Sequence, residues 1–102
     1  MAFNTQTVAD TNAVEVAYNF NNYSSMTFVN THATAEVTID LFIRNAAGTI
    51  VAYFLNNVKI PNGASLKLEQ DEFSFSNNLY TLFIDSDNSA GAIDIISRKK
   101  YD

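Results

Sequence analysis

The sequence predicts an all-β fold, a single antiparallel β-sandwich of seven to eight short strands. Apolar residues alternate with polar ones at period two in run after run. Clusters of Asn, Asp, Ser, Gly and Pro separate these runs. Nowhere do apolar residues hold helical spacing for more than about two turns. The chain has 102 residues, of which 47% are hydrophobic and 17% charged. That is enough for one globular domain and too little for two separate cores.

Residues 1–12 show no alternation and are expected to form an N-terminal arm. The first alternating set is Val14, Val16, Tyr18 and Phe20, with Glu15, Ala17 and Asn19 between them. Met26 to Val29 is a shorter run. The clearest strand spans Glu36 to Arg44, where Val37, Ile39, Leu41 and Ile43 share one face. Successive strand residues project to opposite sides, so Glu36, Thr38, Asp40, Phe42 and Arg44 share the other. Asn45-Ala46-Ala47-Gly48 reads as a hairpin loop into the run Ile50 to Leu55.

Val58 and Ile60 flank Lys59, and Pro61-Asn62-Gly63 ends that run, because proline cannot donate to a ladder and Asn-Gly favours positive φ. Leu66 and Leu68 flank Lys67. Phe73 to Phe75 is a further short run, followed by the inward set Tyr80, Leu82 and Ile84. Ser86 to Gly91 is the last loop, and Ile93 and Ile95 flank Asp94 in the last strand. Residues 98–102 are expected to be a C-terminal tail. Jelly-roll and immunoglobulin-like strand orders both fit this succession.

Eleven acids against six bases give a net charge of −5. Such a surface repels phosphate backbones, so no nucleic-acid partner is expected. Arg98-Lys99-Lys100 is the one basic run and reads as a solvated end. The first residues carry neither a basic start nor an apolar core, so no secretory signal is expected. Ile50 to Leu55 is too short to span a bilayer, and no membrane partner is expected. The absence of cysteine excludes disulfides, thiolate metal sites and cysteine nucleophiles.

Little in the chain points to catalysis. His32 is the single histidine. It lies in a turn of small polar residues, with no nucleophile or orienting carboxylate indicated, and is expected to be an exposed turn residue. Asp85-Ser86-Asp87-Asn88-Ser89 opens like a calcium loop, but the EF-hand glycine and glutamate positions hold Ala90 and Ile96. An Asx-stabilised hairpin is the plainer reading. Asp71 and Glu72 are adjacent and would point to opposite faces of a strand, unlike a glycosidase pair. Asn22-Tyr23-Ser24 matches a glycosylation sequon by chance composition. No enzyme activity, cofactor or metal is expected.

Apolar residues on the outward face are the exception to a polar surface. Alternation sends Phe42 and Phe83 outward, and Ile96 opposite Ile93 and Ile95. Ile50 to Leu55 is apolar on both faces, which brings in Val51 and Tyr53. Either a bulge re-phases these strands and returns the residues to the core, or Phe42, Phe83, Tyr53, Val51 and Ile96 form an interaction surface.

The order of the runs carries a resemblance. A strand ending in Val29-Asn30-Thr31 leads through a short turn to Val37-Thr38-Ile39-Asp40-Leu41-Phe42-Ile43. A hairpin continues into Tyr53-Phe54-Leu55 and Val58-Lys59-Ile60-Pro61-Asn62-Gly63. Ser65-Leu66-Lys67-Leu68 and, near the end, Asp94-Ile95-Ile96-Ser97 complete it. From about Val14 onward the chain resembles the small β-sandwich virion proteins of tailed phages, particularly those of marine bacteria. The resemblance implies a non-enzymatic structural protein, above all a capsid decoration (cement) protein on the outer shell, assembled in the host cytoplasm. Its implied partners are the major capsid protein or other virion proteins, with self-association as a further expectation. The alternatives are a carbohydrate- or receptor-binding module of a fibre, and a tail or neck component.

Overall fold

The computed structural model describes residues 3–8, 12–16, 23–32, 34–69, 72, 75, 78–87 and 93–99. Its elements are β1 (Phe3–Val8), β2 (Val14–Glu15), β3 (Tyr23–Asn30), β4 (Val37–Arg44), β5 (Ile50–Ile60), β6 (Ser65–Glu69), β7 (Thr81–Ser86) and β8 (Ile93–Lys99). They form two antiparallel four-stranded sheets, ordered β1-β8-β3-β6 and β2-β7-β4-β5.

The order has a simple origin. β1 pairs with β8, β2 with β7, β3 with β6 and β4 with β5. Those are the pairings of one long hairpin whose turn lies between β4 and β5. Rolling the hairpin adds the β3–β8 and β4–β7 ladders and splits it into two sheets. The result is a jelly roll, and it settles the strand order in favour of that topology.

The core lies between the sheets. Val37, Ile39, Leu41 and Ile43 of β4 face it, as alternation requires, with Leu82 and Ile84 of β7 beside them. Met26, Phe28, Leu68, Ile93 and Ile95 close it from the other sheet. Val8 and Val16 also belong to it. Tyr80 packs against its margin. Tyr18, Phe20, Phe73, Asp71 and Asn22 lie outside the described residues, and Phe75 is described but is not in a strand.

Three expectations change. Arg98 and Lys99, expected in a C-terminal tail, belong to β8 and pair with β1 and β3, because the ladder continues past the last apolar residue. Residues 100–102 lie outside the described residues. Phe3–Val8, expected as an arm, is a strand paired along its whole length with β8. Its polar residues Asn4, Gln6 and Thr7 hid it, because only Val8 among the residues with described side chains reaches the core. The runs Ile50–Leu55 and Val58–Ile60 are one continuous strand. The register between β4 and β5 slips three times, so eleven residues of β5 face eight of β4. Each slip inserts a residue and reverses the alternation, which breaks the period-two signal.

Two of the crossovers between the sheets, β3–β4 and β5–β6, meet at Asn30, the last residue of β3, which is fully buried. Its Nδ2 donates to the Ile60 carbonyl at 2.8 Å and to the Ala35 carbonyl at 3.0 Å. Its Oδ1 accepts the His32 N–H at 2.9 Å. The Asn30 N–H donates to the Ala64 carbonyl, and its own carbonyl accepts the Gly63 N–H. Gly63 has φ 76°, which glycine adopts without steric cost, and that turns the chain toward Asn30. One amide therefore fastens the β3–β4 and β5–β6 connections together.

Replacing Ile39 by Ala removes a fully buried core side chain and should cost roughly 2–5 kcal/mol. Asn30→Ala leaves buried carbonyls without donors and should cost at least about 2 kcal/mol. Urea denaturation of both variants measures this, and a loss near zero at Ile39 would reverse the assignment of the inner face.

Candidate functional site

The outer face of the β2-β7-β4-β5 sheet carries the most distinctive side chains. Register places Glu15 opposite Phe83, Phe83 opposite Phe42, and Phe42 opposite Tyr53. One row thus crosses all four strands. The Phe42 and Phe83 rings lie nearly parallel, at 12°, with centroids 6.1 Å apart. Tyr53 tilts against Phe42 at 5.4 Å. Arg44, two residues along β4 and so on the same face, lays its guanidinium 4.6 Å from the Phe83 centroid and 5.2 Å from that of Phe42. Such a contact stabilises by about 0.5–2 kcal/mol according to how dry it is. The Arg44 Nε is buried and has no hydrogen-bond partner.

Phe42 consequently has two properties that alternation alone does not combine. It points away from the core, yet only 3% of it is exposed. Arg44, Tyr53 and Phe83 cover it. The exposed surface here belongs instead to the rim on β5, where Ile50 (38%), Val51 (47%) and Tyr53 (48%) stand open. Val51 is an inserted residue, since Arg44 pairs with Ile50 and Ile43 with Ala52. Phe54 is inserted in the same way between Tyr53 and Leu55, and it turns inward against Phe75 at 6.1 Å.

Of the five residues singled out from the sequence, Phe42, Phe83 and Tyr53 form one cluster and Val51 adjoins it on the rim. Ile96 does not join them. It lies on the outer face of the other sheet, half-buried between Thr5 of β1 and Thr27 of β3. Sequence reading missed the part Arg44 plays, although its spacing from Phe42 on an alternating strand placed both on one face. Leu79, 62% exposed, precedes β7 and lies outside the row.

Farther along the same face the chemistry turns acidic. Asp40 and Asp85 are cross-strand neighbours. With Thr38, Asn57, Ser86 and Asp87 they line a surface cavity of about 320 Å³. Two of its carboxylates already hold backbone. Asp40 Oδ1 accepts the N–H of Asn57 at 2.6 Å, where Asn57 takes φ 54° at the last slip of β5. Asp87 Oδ1 accepts the Thr38 N–H at 2.9 Å, and the Asp87 N–H donates to the Thr38 carbonyl at 3.2 Å. These bonds fix the bulge and the strand end. Among the described residues no three of His, Asp and Glu gather so as to hold a metal ion.

His32 is more than an exposed turn residue. Its Nδ1 accepts the N–H groups of Thr34 and Ala35 at 3.1 and 3.0 Å. It therefore orders the chain that Asn30 grips through Ala35. Asn45 does the same for the β4–β5 hairpin, where its Oδ1 accepts from Ala47 and Thr49. Compared with known proteins, the chain matches no family model, no curated protein and no solved structure.

The buried position of Phe42 gives a measurable separation. Phe42→Ala should destabilise the fold by roughly 2–4 kcal/mol, because a large covered ring is lost. Tyr53→Ser should cost less than about 1 kcal/mol, as an exposed partner at the margin of the cluster. His32→Ala should cost about 1 kcal/mol through the two orphaned N–H groups. Thermal and urea unfolding of the three variants check this order, and equal losses at Phe42 and Tyr53 would contradict it.

Proposed function

We propose that this protein is a non-enzymatic assembly protein that binds its partner through the outer face of the β2-β7-β4-β5 sheet and the adjoining β5 rim. The observation that carries the reading is the contiguity of exposed Ile50, Val51 and Tyr53 with the Phe42–Phe83–Arg44 cluster. A rigid aromatic base beneath an exposed apolar rim is the arrangement in which interface energy concentrates. The particular form proposed is a capsid decoration protein of a tailed phage, whose partner is the major capsid protein or another virion protein at the particle surface. Its support is the resemblance in strand and turn order, together with a jelly-roll topology that viral capsid domains use repeatedly. That topology is an analogy of fold and also serves unrelated functions.

A second reading, a glycan-binding module, draws on a different observation. Tyr53 stands exposed on the same face as the cavity lined by Asp40, Asn57 and Asp85. A ring for stacking beside acceptors for hydroxyl groups suits a sugar, and lectin domains share the topology.

Particle association separates the two. Tyr53→Ser should weaken binding to purified particles by roughly 1–3 kcal/mol, the contribution of one large buried side chain at an interface. The melting temperature of the free domain should hardly move. Cosedimentation with particles and calorimetry of the free variant provide the readouts. Unchanged particle affinity would overturn the interface, and saturable binding of a simple saccharide lost in Asp85→Asn would favour the glycan reading.

A further inference from the structure

The outer edges of the two sheets differ sharply. β2 is only two residues long. β6 carries Lys67 and Glu69, joined by an exposed ion pair at 3.3 Å. β1 is polar through Asn4, Thr5, Gln6 and Thr7. Short length, charge and polarity are the usual guards of a free strand edge. β5 is guarded only by its bulges and, at its far end, by Asn56, Asn57 and Lys59, the last ion-paired with Glu36 at 3.8 Å. Over Ile50 to Leu55 it has neither charge nor strongly polar side chains. It is eleven residues long and lies at the end of its sheet. From Thr49 to Val58 it carries no charged side chain, and Ile50 to Leu55 contains no proline or glycine. A six-residue segment of high β-propensity without charge is the composition that pairs with itself.

We propose that β5 is a self-association edge, at which a second copy of this chain adds its own β5 antiparallel about a two-fold axis near Val51 to Tyr53. Charge selects the occupant. Each copy carries −5, and the face beyond Phe42 presents Asp40, Asp85 and Asp87. Two copies meeting elsewhere on this sheet would bring acids together. At β5 they meet over a neutral strip. A basic partner would be drawn to the acidic cavity instead. Antiparallel pairing about a two-fold axis is self-complementary, so one exposed edge satisfies two copies and the contact closes as a dimer. The joined sheets would run β2-β7-β4-β5 into β5-β4-β7-β2 of the second copy, with both aromatic rows on outer faces.

The three register slips in β5 shorten the regular ladder and bend the strand. The contact is therefore small, and a dimer is expected in the range of tens to hundreds of micromolar. The second copy would use the same β5 rim that the shell-binding reading uses, so the two are told apart by measuring the free protein in the absence of particles.

Sedimentation velocity of the wild-type chain across a concentration series tests it. A reversible monomer–dimer equilibrium is expected, with Val51→Lys weakening it at least tenfold and Val51→Thr leaving it within a few-fold. Val51 is exposed and inserted, so neither change should lower the melting temperature appreciably. Hydrogen exchange on the unaltered chain gives a second readout that depends on no variant, with Ile50 to Leu55 amides more protected as concentration rises. A wild-type chain that stays monomeric to about 500 µM overturns the proposal. So does a folded Val51→Lys variant that dimerises as the wild type does, or open-ended fibrils in place of a closed dimer.

Discussion

The side-chain amide of Asn30 is the constraint on which the rest of this sandwich depends. A jelly roll folds one long hairpin over itself, so its chain must cross between sheets at each end. Crossings leave backbone N–H and C=O groups without ladder partners, and a buried group left so costs free energy. Asn30 meets that need for two crossings at once, from a fully buried position. Only an Asn or Gln side chain offers two donors and an acceptor without charge, and Asn is short enough to sit at the strand end. His32 extends the same arrangement by holding the Thr34 and Ala35 N–H groups, so the turn presents its Ala35 carbonyl to Asn30. The core strands β3, β4 and β5 thus share one hydrogen-bonded corner.

The outer face of the second sheet is built on a different principle. A jelly-roll sheet normally leaves its outer side polar, and here Asp40, Glu15 and Thr81 follow that pattern. Phe42 breaks it at the middle of the central strand. Its ring is dry because its cross-strand neighbours are Phe83 and Tyr53 and because Arg44 spreads its guanidinium over the pair. Cross-strand aromatic pairs stabilise a sheet by a few tenths to about 1 kcal/mol. The cluster is therefore a small second core on the outside, and it holds Tyr53 in place at the rim.

Which parts of this were legible in the sequence follows from the range of the interactions involved. β4 and β7 could be read residue by residue, because alternation is local and both faces of each strand follow it. The outward direction of Phe42 and Phe83 was legible for the same reason. Their burial was not, since it depends on a register between strands some forty residues apart. Ile96 shows the same limit. Its direction was correct, but the sheet it belongs to is decided by pairing with β1 and β3. β1 was invisible because a strand at the margin of a sandwich needs few apolar residues. In β5 the local signal itself failed, because inserted residues at Val51 and Phe54 reverse the phase within a single strand. The acids Asp40 and Asp87 read as surface charges, whereas each accepts a backbone N–H that no local pattern marks.

The bulged β5 connects these themes. A regular eleven-residue strand opposite β4 would have directed its apolar residues alternately inward and out, and half of them would have been fully exposed. Insertion at Phe54 lets adjacent Phe54 and Leu55 both reach the core, which no regular strand permits. Insertion at Val51 does the reverse, leaving Ile50, Val51, Ala52 and Tyr53 together at the rim. Asp40 then stabilises the third irregularity by holding the Asn57 N–H, so the bend in the strand is fixed by a carboxylate from the neighbouring strand. The distortion divides one apolar run into an inner part that completes the core and an outer part that does not. Folding accounts for the inner part, whereas the outer part adds little to the stability of a lone molecule, so its apolar character bears on association.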